Sequence, residues 1–459
     1  MRYKAEDYQK TGIRFLIERD HAGLFCDPGG GKTAMTLAAF VMLRKLGIVK
    51  RALIIAPRLV CYNTWPDEIA KWDQFADLTW QIMHGDRKAD KLHRAFSKNA
   101  PDISIINPDG VRWLFENINE LPRFPWDMLI VDESSKFKNP GCQRFKLLRK
   151  MISRFKRRVI LTGTPAPNGL LDLWSQQFIL DQGASLGVTM SLYKTYKIKG
   201  EDEKRAIYNR IAPSVLRFDA ETFSTLPELL IHDVPVRLDA AARAEYDKAE
   251  KDLMFAIDTD EPTLPPAGAS AYLTCRQMAN GRAYMPAQDG ETRRVHLCHG
   301  EKIEALHGLL DELWGKPALI AYYFRHDLIA IQEAVRSRGI ECPHIGGDVL
   351  VDKINAHVSA WNRGELPVLV VHPQSMAHGL NLQAGGNDLI WYSLTDNLED
   401  YQQLIKRLHR RGVRGQVRCH RIIARDTVDD VIASRLDAKA ENQKTMLDFL
   451  RDYRAGKSA

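Results

Sequence analysis

The run Gly29-Gly30-Gly31-Lys32-Thr33 joins residue types suited to holding a polyphosphate. Consecutive glycines let backbone amides turn inward on an anion. Lys32 supplies a point charge for the terminal phosphates, and the Thr33 hydroxyl is a natural magnesium ligand. A second set, Asp132-Glu133, closes an apolar run; Asp132 is suited to holding magnesium and Glu133 to polarising an attacking water. A third set, Arg407 and Arg410, lies three residues apart, so on a helix the two share a face and suit a γ-phosphate. The chemistry these residues predict is phosphoanhydride hydrolysis by positioning and charge stabilisation, with Mg2+ as cofactor. One residue departs from the full glycine-loop pattern: Cys26 stands five before Gly31, where a small residue is usual.

Such groups need strand ends and helix starts to hold them. Ala22-Gly23-Leu24-Phe25-Cys26 reads as a strand, and residues 34–46 have helical apolar spacing that ends at Gly47. That order places a phosphate at a helix N-terminus, where the dipole favours negative charge. Further strands are predicted at 51–57, 103–107, 127–133 and 158–162, with segments between them long enough for helices. Nearly all-apolar strands alternating with helices imply an α/β fold whose parallel sheet is covered on both faces. Ligands of such sheets sit at the carboxyl ends of strands, so the glycine loop and Asp132-Glu133 are able to converge. A similar pattern recurs at 316–323, 366–371 and 389–392 without a second lysine-bearing phosphate loop. The chain therefore reads as two similar lobes, with the nucleotide cradle in the first. Residues 259–270, rich in Pro, Gly and Ala, read as a loop. The aromatic and basic residues of 182–225, among them Tyr193, Lys194, Tyr196, Lys197 and Lys199, read as an amphipathic helix, with a protrusion gripping nucleic acid as the alternative.

The 459 residues, 45% hydrophobic and 27% charged, suit a globular protein of about two to four domains. No apolar run approaches the roughly 18 residues of a membrane span, and the N-terminal residues do not read as a signal peptide. The seven cysteines form no Cys-x-x-Cys pair, which fits a reducing cytoplasm, and no membrane partner is expected. His296, Cys298 and His299 cluster without a fourth ligand nearby, so no metal site is expected there. The formal net charge of +7 is compatible with a polyanionic partner.

In this order the elements resemble the superfamily-two helicase core, and more narrowly the SNF (sucrose non-fermenting) family of chromatin-remodeller-type DNA translocases. Tyr8-Gln9 with Gly12 is similar to the family's Q motif, implying that Gln9 reads the adenine. Pro57, Trp65, Glu68 and Trp72 resemble its P…W..E..kW segment, and residues 132–139 its DEAH-x-x-KN pattern, with Ser135 in place of histidine. Residues 161–168 resemble LTGTP-x-x-N, residues 379–382 GLNL, and Gln403, Arg407, His409, Arg410 and Gly412 the pattern Q-x-x-x-R-x-HR-x-G. Leu226-Pro227 resembles the crossing into the second lobe. The departures are Ser135, Val413 where glutamine is common, and Asp396-Asn397-Leu398 in place of Trp-Asn-Pro.

The resemblance implies two tandem RecA-like lobes, at 1–225 and 301–459, with a linker and helical insertion at 226–300. It implies an ATP-dependent double-stranded-DNA translocase of the minimal bacterial or bacteriophage form. ATP would lie in the cleft between lobes, with Gln9, Gly29, Gly30, Gly31, Lys32, Thr33 and Asp132 binding it. Thr33 and Asp132 would hold Mg2+, and Glu133, Lys32, Arg407 and Arg410 would act in catalysis. Arg58 and Ser375 are candidates for DNA-backbone contacts, which carry no sequence information. A monomer in the bacterial or phage-infected host cytosol is expected, with a nuclease or a replication or repair protein as a compatible partner. The alternatives are a strand-separating DNA or RNA helicase and a nucleotide-controlled DNA-binding module with little turnover.

Overall fold

Within the first sheet, alternate residues of each strand bury into different cores. Leu53, Ile55, Leu129, Val131 and Ile160 join one apolar cluster, while Ala52, Ile54, Met128, Ile130 and Val159 join another on the opposite face. This two-sided burial is why the strands read as unbroken apolar runs. The structure is a computed structural model describing residues 1–58, 60–118, 124–196, 200–223, 226–257, 266–285, 294–377, 380–410 and 412–454. Two compact units are present: Met1–Thr225 with Lys439–Ala459, and Leu226–Ala438.

The first unit holds β1 (His21–Cys26), β2 (Ala52–Ile55), β3 (Trp80–Ile82), β4 (Ile103–Ile106), β5 (Met128–Asp132), β6 (Arg157–Thr162) and β7 (Val215–Phe218). They form one sheet in the order β3-β4-β2-β5-β6-β1-β7, every pairing parallel. The five strands expected from the sequence are all there. The region of 182–225 contains the helices Met190–Lys194 and Glu201–Ile211 and then the unforeseen edge strand β7. Tyr193 is buried in the core, its hydroxyl donating to the Leu170 carbonyl at 2.8 Å, and so is no surface grip. Lys197 and Lys199 lie outside the described residues.

The second unit holds β8 (Leu229–Val236), an antiparallel hairpin of β9 (Arg282–Tyr284) and β10 (Val295–Leu297), then β11 (Ala318–Ala321), β12 (His344–Ile345), β13 (Val368–Val371), β14 (Asp388–Trp391) and β15 (Val417–Ala424). Its parallel sheet has the order β12-β13-β11-β14-β15-β8. Residues 229–236, expected as linker, are the edge strand β8, paired along its whole length with β15. One open side lets it carry exposed polar residues that hide it from an apolar pattern search. The loop expected at 259–270 gives way at Pro266, where the helix Pro266–Ala279 begins. Proline suits a first helical turn because its missing N–H would be unpaired there anyway. Residues 259–265 lie outside the described residues.

The C-terminal stretch also departs from the expected bounds. Residues 439–459 belong to the first unit, where Met446, Leu447 and Leu450 are buried in the core. They lie on the 27-residue helix Val428–Arg454. Among the described residues no helix is long and apolar enough to cross a membrane. Leu450→Ala should destabilise the first unit by about 2–5 kcal/mol, the usual cost of a large-to-small core substitution. Thermal unfolding of the full chain checks this, and an unchanged midpoint would contradict the assigned packing.

Candidate active site

The site is assembled by register. Phe25 of β1 pairs with Thr162 of β6, and Leu161 of β6 pairs with Asp132 of β5. Three strand ends are therefore level at the carboxyl edge, bringing together the glycine loop, Asp132-Glu133 and the 161–168 motif. The helix Lys32–Lys45 starts directly after the loop, with Gly31 as its N-cap at φ 78°. That left-handed φ suits glycine, and a Cβ there would also come within 2.5 Å of Gln9 Nε2. Gln9 is buried against the loop, and its Oε1 accepts from the Glu6 backbone N–H at 3.0 Å and the Tyr3 hydroxyl at 3.2 Å. The Tyr8 hydroxyl donates to the Gly30 carbonyl at 3.2 Å.

Lys32 Nζ donates to the Cys26 carbonyl at 2.6 Å. The Cys26 side chain is fully buried in the core behind the loop, so a residue larger than usual fits there. Asp27 forms a buried ion pair with Arg217 of β7 at 2.9 Å, and its backbone N–H donates to the Phe218 carbonyl at 3.1 Å. This ties the start of the loop to the sheet edge. Gly163 permits a second close approach, because a Cβ there would sit 3.3 Å from the Cys26 carbonyl.

Asp132 is buried, with Oδ2 accepting from Trp65 Nε1 at 3.0 Å and Oδ1 from the Glu133 backbone N–H at 3.1 Å. Burial, and then the neighbouring Glu133 charge, push its carboxyl up to about 6, while the Lys32 ammonium opposes the shift. Glu133 has φ 51° and ψ 60°, a left-handed conformation uncommon for a non-glycine residue. Strain of this kind, of order 1–3 kcal/mol, persists only where surrounding structure enforces it. Here Ser134 Oγ donates to Gln176 Oε1 at 2.7 Å, and Gln176 Nε2 donates to the Pro165 carbonyl at 2.5 Å. Gln176 thereby links the acidic turn to the 161–168 motif. Ser135, in the place of histidine, is fully buried.

Thr33 lies half-buried in the first helical turn. A hydroxyl and a carboxylate form an oxygen-only donor set that fits Mg2+, which leaves its other positions to water and phosphate oxygens. Arg58 is exposed just beyond β2.

In the second unit, Arg407 is buried on the last turn of the helix Leu398–Leu408. The expectation that Arg410 shares its helical face is corrected, because the helix stops at Leu408. His409 leaves helical geometry as its Nε2 meets the Pro227 carbonyl at 2.7 Å. Tertiary contacts bring Arg410 back to the segment beginning at Leu380: its guanidinium donates to Asn381 Oδ1, and the Leu382 N–H donates to the Arg407 carbonyl at 3.2 Å. Arg410 Nε, Gln403 Oε1 and Gln383 Oε1 are buried with no protein partner among the described residues. Buried polar atoms left so cost about 1–3 kcal/mol each. Ser375 is half-buried in the turn Pro373–Ala377, its N–H donating to the His372 carbonyl at 3.0 Å. Gly379 and Arg411 lie outside the described residues.

Residues 8–259 match the SNF2-related domain, and residues 301–412 match the helicase conserved C-terminal domain. The chain belongs to the SNF2-related family. It is 32% identical to protein p41 of Acyrthosiphon pisum secondary endosymbiont phage 1, covering 97% of this chain and 98% of that protein. It is 25% identical to the Bacillus subtilis (strain 168) protein YwqA, which carries the name ATP-dependent helicase/translocase, over 96% of this chain and 48% of YwqA. The chain thus spans about half the length of that relative. A solved SWI2/SNF2 ATPase core of Sulfolobus solfataricus, in complex with dsDNA, is 21% identical, with 100% of this chain and 96% of that chain covered and a TM-score of 0.46. By family this SNF2-related chain is a helicase-type ATPase, a hydrolase.

Trp65 and Gln176 have roles that no motif reading assigned. Trp65 had a usable signal, since a buried indole N–H needs an acceptor. Gln176 had none in the sequence. The carboxylate form of Asp132, the form able to hold a cation, is present above about pH 6 and is lost as pH falls through it. The acid limb of kcat/KM for ATP hydrolysis should lie near pH 6. In Trp65→Phe, which removes the donor to the carboxylate, it should move upward. An acid limb unmoved by Trp65→Phe would show that this hydrogen bond does not set the Asp132 charge.

Proposed function

We propose that the chain is an ATP-dependent translocase on double-stranded DNA, bound without regard to sequence. The reading is carried by the level ends of β1, β6 and β5, which bring the glycine loop and the acidic pair to one sheet edge, and by the constrained turn at Glu133. Gln9 recognises the adenine, and the loop of Gly29, Gly30 and Gly31 with Lys32 holds the phosphates. Thr33 and Asp132 hold Mg2+, which when bound screens the phosphate charge. Glu133 accepts a proton from the attacking water. Arg407 and Arg410 stabilise charge on the γ-phosphoryl group, a role supported by the buried Arg410 Nε, which has no partner among the described residues.

DNA as the partner is supported by the net charge of +7 and by family membership. Arg58 and Ser375 are assigned to phosphate contacts, which fits binding that tracks a backbone.

Lys32→Ala and Glu133→Gln should each lower ATP turnover by at least about a thousandfold, the scale of a lost phosphate-stabilising group. Duplex-DNA binding measured by fluorescence anisotropy should survive in both. Wild-type ATPase should be stimulated by duplex DNA, and the protein should displace a triplex-forming strand without unwinding the duplex. Stimulation by single strands or RNA alone would favour a strand-separating helicase. Negligible turnover at saturating DNA would favour a nucleotide-controlled clamp.

A further inference from the structure

Glu245, His296 and Cys298 converge in the second unit, and none of the three is assigned to nucleotide or DNA. His296 lies in the middle of β10, and Cys298 follows two residues on, so strand alternation points both to one face. Glu245 comes from the helix Ala240–Ile257, some fifty residues earlier in the chain. One ligand atom from each of the three lies within 4.8 Å of the other two, and His296 Nε2 is 3.0 Å from Glu245 Oε1. A tetrahedral zinc with bonds of about 2.0–2.3 Å separates neighbouring ligand atoms by about 3.3–3.8 Å, which small side-chain rotations achieve here.

The backbone under these ligands is already fixed. The Cys298 N–H donates to the Gly281 carbonyl at 2.8 Å, and β10 pairs with β9 through His296 and Ala283. His299, which the sequence places in the same cluster, is engaged elsewhere: its Nε2 meets the Met278 carbonyl at 2.8 Å and its Nδ1 lies 2.8 Å from Glu301. The third ligand is therefore a carboxylate from a distant helix, which sequence proximity could not supply. His296 is exposed, and Glu245 and Cys298 are half-buried, so a fourth position faces solvent and suits water.

We propose that Glu245, His296 and Cys298 form a Zn2+ site that clasps the helix Ala240–Ile257 to the β9–β10 hairpin. The mixed nitrogen, oxygen and sulfur set selects a zinc-class ion over Mg2+, which takes oxygen ligands, so this ion is distinct from the one serving ATP. Binding forms a Zn–S bond and releases the Cys298 thiol proton to solvent, with no change of oxidation state. Burial and then the Glu245 charge disfavour a bare Cys298 thiolate, and Glu245 becomes a co-ligand once the cation is bound.

The test uses the full chain, stripped with chelator and titrated with Co2+ as a spectroscopic substitute for zinc. A thiolate-to-cobalt charge-transfer band should appear, saturate at one ion per chain and disappear when Zn2+ is added. Cys298→Ser should abolish the band, while Asp132→Asn should leave it intact. His296→Ala, at an exposed position where folding is not at stake, should weaken cobalt binding by more than about tenfold. Absence of the band in the wild-type chain, its survival in Cys298→Ser, or unchanged affinity in His296→Ala would each overturn the proposal and leave an ordinary Glu245–His296 ion pair.

Discussion

Parallel pairing of β5, β6 and β1 is the constraint on which the candidate active site depends. With Asp132 beside Leu161 and Phe25 beside Thr162, the three strands end at one level, and the turns that follow share one edge. A one-residue slip in a strand would turn its side chains to the opposite core. The division of Leu53 and Ile55 from Ala52 and Ile54, repeated in β5 and β6, makes such a slip costly. The same packing that stabilises the sheet thus sets the relative positions of Lys32, Asp132 and Glu133.

This edge holds conformations and charges that an isolated peptide would not keep. Asp132 is a carboxylate taken out of water, Glu133 has positive φ, and Asp27 is fixed by a buried arginine. Each is held by partners from distant chain segments: Trp65 for Asp132, the Ser134–Gln176–Pro165 link for the acidic turn, and Arg217 for Asp27. A rigid cradle suits phosphoryl transfer, where positioning and electrostatics supply most of the rate. Two of the residues that depart from the family pattern are absorbed by burial: Cys26 faces the core, and Ser135 is enclosed.

In the second unit, the segment from Leu380 to Gln383 and the arginine motif meet through the Leu382 N–H and Asn381 Oδ1. Polar atoms of Gln383, Gln403 and Arg410 remain buried without protein partners among the described residues. Of these atoms only the Arg410 Nε–H is a donor able to meet an anion, while the two glutamine oxygens are acceptors that call for a donor such as water.

The interior strands other than β15, the glycine loop and the acidic pair were legible in the chain itself. A strand covered on both faces must be apolar throughout, and a phosphate loop needs glycine and lysine at fixed spacing. Edge strands β7 and β8 were not legible: the open side of β8 relaxes its demand for apolar residues, whereas β7 is buried throughout but only four residues long and interrupted by Arg217. The end of the helix at Leu408 was decided by His409 reaching the Pro227 carbonyl, a partner 182 residues away. The hydrogen bonds of Trp65 and Gln176, and the arrival of Glu245 beside His296 and Cys298, likewise had no local signature. Local sequence fixes which groups are available and which faces must be buried. Which distant groups meet was decided by strand order and register, since those alone determine what lies across from what.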